Sequence, residues 1–277
     1  MHSIRVVTLN CWGNGQDADK RWPLLVRELA RLNPDVICLQ EVFQKGRAQA
    51  LQKTLGFSHW VDGSRYGGLV LASRYKKIAS GFLKYKTKSP TENYFRYALW
   101  SRLQIGKAEW DFFVTHLSWK LPESEIRQHQ MGELWDWICS KNNGQRPCVL
   151  AGDMNAVPQS DEIKFLSGEG WLYLSKDGMA RVLSAEHPFV DTFTKARLRE
   201  RLQFHTWARK NLYTRRAHLP DRRIDYIWFR PVNSERKFII KKSQVCFTQP
   251  AEKKLFCSDH FGVMTEIGLK NIKGEKQ

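Results

Sequence analysis

Two oxygen-bearing side chains follow a short apolar run near the middle of the sequence. The run 149–151 ends at Gly152, and Asp153 and Asn155 come next, two positions apart. Alternate residues of an extended chain point to the same side, so both groups would leave the end of one strand together. A carboxylate and a carboxamide placed in this way could hold a hard cation or a water molecule that attacks phosphorus. Because Gly-Asp-x-Asn is also common in turns, this pattern needs support from the rest of the chain.

Similar polar groups stand at the ends of several other predicted strands. A strand-end Asn also caps turns and a lone His is often structural, but the repetition of such groups in one local setting is not expected by chance. Strand ends of one sheet lie side by side, so the pattern predicts one concave site. Oxygen ligands without Cys suit Mg²⁺ or Mn²⁺, and a His–Asp pair suits proton transfer involving water. The full set is Asn10, Glu41, His116, Asp153, Asn155, Asp225, Asp259 and His260.

Alternating strands and helices must position these groups. Strands are predicted at 4–10, 35–41, 69–72, 97–105, 110–116, 149–151, 224–229, 245–248 and 261–267, and helices at about 22–32, 44–55, 123–140 and 161–166. The strand segments are rich in β-branched and apolar residues, whereas the helices repeat apolar residues at helical spacing. No Pro- or Ser-rich linker interrupts them, so we predict a single α/β domain over residues 1–269. A polar, charged tail over 270–277 is predicted to fray.

A strong positive charge distinguishes the composition. The 277 residues include 45 Lys and Arg against 28 Asp and Glu, which gives a formal net charge of +17. A surplus of this size favours an anionic partner such as nucleic acid, an acidic membrane surface or a polyphosphate. A basic, solvated surface without such a partner would give the same count, so composition alone leaves both interpretations open.

The cysteines and the apolar runs bear on the compartment. The six cysteines show no C-x-x-C spacing, and Cys38 and Cys148 lie in apolar runs. This arrangement predicts reduced, buried thiols and neither a zinc site nor a disulfide framework. The first residues lack a signal-peptide pattern, and no apolar run approaches the length that spans a bilayer. We therefore predict a cytoplasmic protein without a transmembrane segment; the sequence does not fix the oligomeric state, and a monomer is compatible with it.

Six short motifs occur in a characteristic order. They are Leu9-Asn10-Cys11-Trp12-Gly13, Gln40-Glu41-Val42, Thr115-His116-Leu117, Gly152-Asp153-Met154-Asn155, Arg223-Ile224-Asp225-Tyr226-Ile227 and Ser258-Asp259-His260. Together they resemble the DNase I-like endonuclease/exonuclease/phosphatase superfamily, which includes nucleases, abasic-site endonucleases, inositol polyphosphate 5-phosphatases and neutral sphingomyelinases. The resemblance runs from Ile4 to about Ile267, and its first motif is most like that of the neutral sphingomyelinases.

The resemblance implies a fold and a set of residue roles. The fold would be a four-layer α/β sandwich, with two mixed β-sheets packed face to face and helices outside. The metal, Mg²⁺ with Mn²⁺ as a substitute, would be bound mainly by Glu41 with help from Asn10, and Asp259 would be a further metal or water ligand. Asp153 and Asn155 would position water and phosphate, and His260 would act on the nucleophile or the phosphate oxygens while held by Asp225. His116 would be the general acid.

Within this superfamily the substrate must be inferred from other residues. Between Lys195 and Arg223 there are ten basic residues against two acids, with Phe204, Trp207 and Tyr213 interleaved. Basic groups contact phosphates and aromatic rings stack on bases, so this segment favours a nuclease or another DNA-processing phosphodiesterase. The substrate-binding candidates are Arg96, Arg127, Trp207, Arg215 and Arg216.

Two other substrates remain open. A sphingomyelinase-like phospholipase C, acting on an acidic membrane, agrees with the first motif, but no strong apolar hairpin for membrane insertion is evident. The segments 119–122 and 171–173 are candidates for one, and we interpret their aromatic residues as core residues. An inositol phosphate or phosphoinositide phosphatase ranks lower, because the Pro-Ala-Trp-x-Asp-Arg signature of the 5-phosphatases is replaced by Pro220-Asp221-Arg222-Arg223-Ile224-Asp225.

Overall fold

Two six-stranded sheets form the centre of the structure, a computed structural model that describes residues 3–176, 179–196, 205–232, 237–252 and 254–270. The strands are β1 (Ser3–Asn10), β2 (Val36–Gln40), β3 (His59–Gly63), β4 (Leu69–Ser73), β5 (Lys76–Lys84), β6 (Tyr97–Ile105), β7 (Ala108–His116), β8 (Cys148–Asp153), β9 (Leu172–Lys176), β10 (Met179–Leu183), β11 (Val190–Asp191), β12 (Asp225–Arg230), β13 (Lys237–Cys246) and β14 (Gly262–Lys270). The helices are α1 (Ala18–Leu32), α2 (Arg47–Leu55), α3 (Ser124–Lys141), α4 (Asp161–Ser167) and α5 (Thr192–Ala196).

Both sheets are mixed. The first has the order β13-β14-β1-β2-β4-β3, and only the β1–β2 pairing in it is parallel. The second has the order β11-β12-β8-β7-β6-β5, and only its β7–β8 pairing is parallel. The short strands β9 and β10 form a separate antiparallel ribbon.

Alternating side chains of the central strands divide the core into layers. Val6 of β1 packs with Val149 of β8 between the two sheets, whereas the next residue, Val7, packs with Leu25 of α1 on the outside of the first sheet. On the outside of the second sheet, Leu134 of α3 is part of a cluster that also contains residues of β7, β8 and α4. The layers therefore run helix, sheet, sheet, helix, and the predicted four-layer α/β sandwich is confirmed.

The connection from β1 to β2 shows how the fold positions polar strand ends. Helix α1 ends where Asn33 adopts a φ of 48° and donates its N–H to the carbonyls of Leu29 and Ala30. Pro34 follows and cannot continue the helix. Because β1 and β2 are parallel, this crossover returns the chain so that Asn10 and Gln40 are partners at the same sheet edge, and Glu41 follows at that edge.

The sequence analysis missed several peripheral elements. The strands β3 and β5, the β9–β10 ribbon, β11 and the short helix α5 were not predicted, and the strand predicted at 245–248 is the end of the longer strand β13. Strand β5 lies at a sheet edge and is largely exposed, so it lacks an apolar pattern. A bulge between Ile240 and Lys242 interrupts the alternation in β13. Predicted residues 271–277 of the tail lie outside the described residues.

Among the residues that the structure describes, no helix combines the length and the apolar composition that crossing a bilayer requires. The longest described helix, α3, has 18 residues and carries acidic, basic and amide side chains along its length.

Candidate active site

Three polar side chains form a row at one end of the second sheet. Asp153, the last residue of β8, is the register partner of His116 in β7 and of Asp225 in β12. The residue before it, Gly152, has a φ of 147°, and a Cβ at this position would lie 2.0 Å from the carbonyl oxygen of Thr115. Glycine is therefore required for β7 and β8 to approach each other where the row forms.

The first sheet contributes two more groups to the same end of the sandwich. The amide Nδ2 of Asn10 donates to Glu41 Oε1 at 3.0 Å and to Asp153 Oδ2 at 3.0 Å. Its Oδ1 accepts the backbone N–H of Trp12 at 3.0 Å. Glu41 adopts a φ of 58°, which turns the chain sharply after β2. The Asn10 amide thus bridges the Glu41 carboxylate of the first sheet and the Asp153 carboxylate of the second.

His260 completes the cluster from the turn before β14. Its Nδ1 lies 2.9 Å from Asp225 Oδ2, and its backbone N–H donates to Ser258 Oγ at 3.1 Å. Ser258 Oγ in turn donates to the carbonyl oxygen of Asn10 at 2.6 Å. His260 is therefore fixed to the second sheet through its imidazole and to the first sheet through its backbone N–H and Ser258.

Asp153 Oδ2 lies at the centre of the group. Besides the Asn10 amide, His116 Nε2 lies 3.4 Å and His260 Nε2 3.8 Å from this oxygen. Its other oxygen, Oδ1, accepts the N–H of Asn155 at 2.9 Å, and the Asn155 amide donates to the carbonyl of Leu117 at 3.0 Å. Hydrogen bonds thus orient Asp153 and Asn155 together.

Burial and mutual repulsion disfavour the ionised forms of the carboxyl groups in the cluster. Burial raises the pKa of the Glu41, Asp153 and Asp259 carboxyl groups, and repulsion among nearby carboxylates raises them further. Asp225 Oδ1 is buried and has no hydrogen-bond partner among the described residues. Ligand atoms of Asp153, Asp225 and His260 lie within 4.8 Å of one another. The close carboxylate oxygens of Glu41, Asp153 and Asp259, which repel one another, suit a hard divalent cation, so these residues fit the metal that the sequence implied.

The two histidines have opposite electrostatic settings. Burial lowers the pKa of His116 well below its usual value, and the positive charge of Arg96 lowers it further. Burial also disfavours the charged form of His260, but the carboxylates of Asp225, Asp259 and Asp153 together raise its pKa well above the usual value. These settings favour the neutral form of His116 and the protonated form of His260. The general-acid role predicted for His116 needs a proton that its environment disfavours.

The cluster opens into a pocket of about 560 Å³. The basic segment contributes Trp207, Leu219 and Arg222 to its lining, and Trp119 and Leu121 line it from the loop after β7. The side chain of Trp119 is 50% exposed, and Trp171 and Tyr173 are exposed on the β9–β10 ribbon and before it. The interpretation of these aromatic residues as core residues is therefore wrong. Arg197, Arg199, Arg201 and Phe204 of the basic segment lie outside the described residues.

The structure separates the substrate-binding candidates. Trp207 lines the pocket. Arg96 is only 4% exposed and binds Glu92 through two nitrogens at 2.7 and 2.9 Å. Arg127 is also 4% exposed, and its Nε donates to Glu162 at 2.8 Å. These contacts correct the expectation that the two buried arginines bind substrate directly. The other two candidates, Arg215 and Arg216, line a different surface pocket with Gln16, Asp17 and Lys254.

Two residues that the sequence analysis missed hold the site together. Arg21 of α1 is 2% exposed, and its guanidinium donates to the carbonyls of Cys11, Trp12, Gln16 and Cys257. It thereby ties the turn after Asn10 to the turn before His260. Thr206 Oγ1 accepts the N–H groups of Ile224 and Asp225 at 3.0 and 3.1 Å. No sequence motif marks either residue, because each acts through backbone groups distant in sequence.

Two mixed sheets packed face to face, with a carboxylate and histidine cluster at one end, define a DNase I-like fold. Residues 7–260 match the Endonuclease/Exonuclease/phosphatase family, and the chain belongs to that family.

Curated relatives are found in Drosophila melanogaster. The chain is 27% identical over 305 residues to a "Putative neutral sphingomyelinase", a match that covers 98% of this chain and 62% of the relative. It is also 27% identical over 167 residues to "Protein angel", covering 54% of this chain and 47% of the relative. The chain thus spans less than two thirds of the length of these two relatives.

Solved structures show the same fold. A D. rerio TDP2 complexed with a single strand DNA product superimposes with a TM-score of 0.78 and 18% identity, covering 96% of this chain and 99% of that one. The human Nocturnin catalytic domain with a bound sulfate anion gives a TM-score of 0.70 and 18% identity, covering 97% and 95%. At these identities the similarity establishes the architecture.

Proposed function

We propose that this protein is a metal-dependent phosphodiesterase that hydrolyses its substrate by water attack, with nucleic acid as the favoured substrate. The observation that carries the proposal is the convergence on Asp153 Oδ2 of the Asn10 amide at 3.0 Å, His116 Nε2 at 3.4 Å and His260 Nε2 at 3.8 Å. One carboxylate surrounded by two imidazoles and an amide suits proton transfer at a phosphoryl centre.

The metal site in this proposal is centred on Glu41. Asn10 aligns its carboxylate, and Asp259 is the further ligand. When bound, Mg²⁺ or Mn²⁺ would polarise the phosphoryl oxygens and stabilise the charge that develops on them. The mutual repulsion that raises the pKa of these carboxyl groups would then be offset by the cation.

The remaining residues handle water and protons. Asp153 and Asn155 position the attacking water, and the raised pKa of Asp153 makes its carboxylate a better proton acceptor near neutral pH. His260, protonated and held by Asp225, donates to the phosphate oxygens and supplies the proton of the leaving oxygen. Neutral His116 helps to orient Asp153. This assignment moves the general-acid role from His116 to His260.

Charge and pocket lining support nucleic acid as the substrate. The chain has a net charge of +17, and the basic segment contributes Arg222 to the pocket, with its guanidinium carbon 4.5 Å from the ring centroid of Trp207. A paired cation and aromatic ring suit a phosphate joined to a base. The similar fold of a TDP2 that was crystallised with a single strand DNA product agrees with this choice.

A phospholipid is the second candidate substrate. The similarity to a putative neutral sphingomyelinase covers 98% of the chain. The first motif favours the same class, and exposed apolar side chains on and before the β9–β10 ribbon, Trp171, Tyr173, Met179 and Val182, offer a surface for an acidic membrane.

Turnover by the wild type and Glu41→Gln in Mg²⁺ tests the proposal and separates the substrates. The substrates are single-stranded DNA, double-stranded DNA and sphingomyelin vesicles, each also assayed in EDTA. Metal-dependent DNA cleavage that Glu41→Gln loses is the expected result. Choline phosphate release with DNA left intact would replace the nuclease assignment with the phospholipase, and turnover that survives equally in EDTA or in Glu41→Gln would contradict the metal site.

A further inference from the structure

Two aromatic residues that line the pocket are exposed and yet tied to one buried ion pair. Tyr94 is 47% and Trp119 50% exposed, and both line the pocket. Glu41 lines the same pocket, so the two residues share it with the reacting phosphate of the proposed function. We call these two side chains the aromatic subsite.

Hydrogen bonds connect both residues of the subsite to neighbouring polar groups. The Tyr94 hydroxyl accepts a hydrogen bond from Arg96 Nη2 at 3.0 Å. The backbone N–H of Trp119 donates to Glu92 Oε1 at 3.0 Å. Both residues are therefore linked to Glu92, Tyr94 through Arg96 and Trp119 through its backbone N–H.

A buried ion pair fixes these contacts. Arg96 Nε and Nη2 donate to the two carboxylate oxygens of Glu92 at 2.7 and 2.9 Å, and the two side chains are only 5% and 1% exposed. A buried pair is weak evidence for stability, but its two-point geometry specifies one arrangement. The ion pair thus holds the Tyr94 hydroxyl and the Trp119 backbone in place before any ligand binds, which reduces the ordering cost of binding.

The charges around the rings decide which ligand they suit. The guanidinium carbon of Arg96 lies 4.9 Å from the Tyr94 ring centroid, and Lys120 Nζ lies 4.0 Å from that of Trp119. A quaternary ammonium group such as choline would meet both positive charges, although aromatic rings alone would attract it. A neutral planar ring attached to phosphates meets no such repulsion, and a flexible acyl chain needs no fixed ring orientation.

We propose that Tyr94 and Trp119 stack a nucleobase adjoining the scissile phosphodiester, with Glu92 and Arg96 as positioning residues. This inference rests on the proposed function, because it assigns a part of the substrate to the same pocket. Stacking on an aromatic side chain tolerates every base, so the subsite would select for the presence of a base and not for its identity.

Binding measured without turnover tests the subsite. Labelled oligothymidylate and a base-free deoxyribose-phosphate strand of equal length are titrated in EDTA with the wild type, Trp119→Ala and Trp119→Phe, and Kd is read from anisotropy. Both strands carry the same backbone charge, so their Kd ratio isolates the base. The matched control is Trp171→Ala, because Trp171 is 60% exposed and does not line the pocket.

The wild type should bind the base-containing strand about tenfold more tightly. Trp119→Ala should abolish this preference while its affinity for the base-free strand stays the same, Trp119→Phe should keep most of the preference, and Trp171→Ala all of it. Arg96→Lys, which loses the two-point pairing, should reduce the preference. An equal preference in Trp119→Ala and the wild type, or no preference in the wild type, would overturn the subsite, as would competition by choline phosphate at the same site.

Metal-dependent turnover of the same strands separates this inference from the proposed function. A wild type that shows the base preference but cleaves neither strand in Mg²⁺ would leave the subsite standing and refute the nuclease. A wild type that cleaves both strands equally well, with equal Kd, would keep the phosphodiesterase and remove the subsite.

Discussion

Asp225 sets the protonation state of His260. Its Oδ2 lies 2.9 Å from His260 Nδ1, and both side chains are buried. Burial alone would lower the pKa of the imidazole, and the neighbouring carboxylates reverse that effect. Because the folded-state pKa lies above the usual value of about 6.5, the pair stabilises the fold fully below that pH and loses this contribution as the pH rises through the folded-state pKa.

Replacing Asp225 with Asn should therefore lower the pKa of His260. If protonated His260 supplies the leaving-group proton, the alkaline limb of the turnover–pH profile should move to lower pH, and turnover at neutral pH should fall about 10²-fold or more. Asp136→Asn, in an exposed pair with Arg181 on the outside of α3, is the control. An alkaline limb that stays in place in Asp225→Asn would contradict this role of the pair.

Glu41 should lower the free energy of unfolding, although the proposed metal site requires its carboxylate. Its pKa is raised mainly by burial, with Asp259 and Asp153 adding repulsion, so above its unfolded pKa of about 4.3 the ionised group destabilises the fold. We expect Glu41→Gln to raise the Tm at pH 7 in EDTA by about 2 °C or more. Mg²⁺ should raise the Tm of the wild type and not that of Glu41→Gln. A wild-type Tm that does not respond to Mg²⁺ would remove the metal from this position.

At the residue scale, the sequence was informative where a side chain acts at a strand end. Asp153 and Asp225 were recognisable because each adjoins an apolar strand. Arg96 and Arg127 were misassigned because charge alone does not reveal a partner, and their partners, Glu92 and Glu162, stand out in no motif. The exposure of Trp119 depends on the path of the loop after β7, which its apolar composition does not specify.

Among the elements, the contact between β7 and β8 determines the site geometry. A Cβ on Gly152 would lie 2.0 Å from the carbonyl oxygen of Thr115, and the φ of 147° is unfavourable for other residues. The residues that follow these positions in the two strands, His116 and Asp153, are register partners. Any separation of the two strands would therefore displace both His116 and Asp153 from their positions in the site.

Gly152→Ala should lower the free energy of unfolding by about 2 kcal/mol or more, through backbone strain and overpacking, and should reduce turnover. Gly106→Ala is the matched control, because Gly106 also has a positive φ, 60°, but an added Cβ would meet no atom within 4 Å. Urea denaturation of both variants provides the comparison. Equal losses of stability in the two variants would show that strain at positive φ, and not the approach of the strands, is the cause.

Buried strands were predicted from the sequence more completely than exposed ones. The central strands β1, β2, β7, β8 and β12 are buried almost throughout, and their apolar runs were predicted within a few residues. The edge strand β5 and the β9–β10 ribbon were missed because exposed strands need no apolar alternation. The pairing of two sheets face to face came from family resemblance, since periodicity identifies a strand but not its neighbours.

For the whole molecule, the net charge of +17 should act mainly on association with an anionic substrate. Arg215 and Arg216 are exposed, and they line a pocket that adjoins Tyr213 and Asp17. Tyr213 packs against Trp12 with a centroid distance of 5.1 Å, and Trp12 lines the pocket that contains Glu41 and His260. A long nucleic acid that leaves this pocket past Trp12 and Tyr213 would reach Arg215 and Arg216.

Replacing Arg215 and Arg216 with Ala should weaken binding of a long single strand. It should also lower the slope of log affinity against log salt by about 1.4, which is about 0.7 for each phosphate that an arginine no longer neutralises. Lys76→Ala with Lys77→Ala is the matched control, because these exposed lysines lie at the start of β5 on the far sheet edge. If the slope changes equally in both double variants, the two arginines contribute only to the general charge of the protein and do not contact the strand.

The most direct test of the central claim uses a substrate that is neither nucleic acid nor lipid. Turnover of bis(p-nitrophenyl) phosphate in Mg²⁺ would be compared for the wild type and Asp153→Asn, with folding of both checked by circular dichroism. The account predicts metal-dependent release of p-nitrophenol by the wild type and a loss of about 10²-fold or more in the folded variant. Equal rates in the two proteins, or no metal-dependent release by the wild type, would contradict the assignment of this pocket as a phosphodiesterase site.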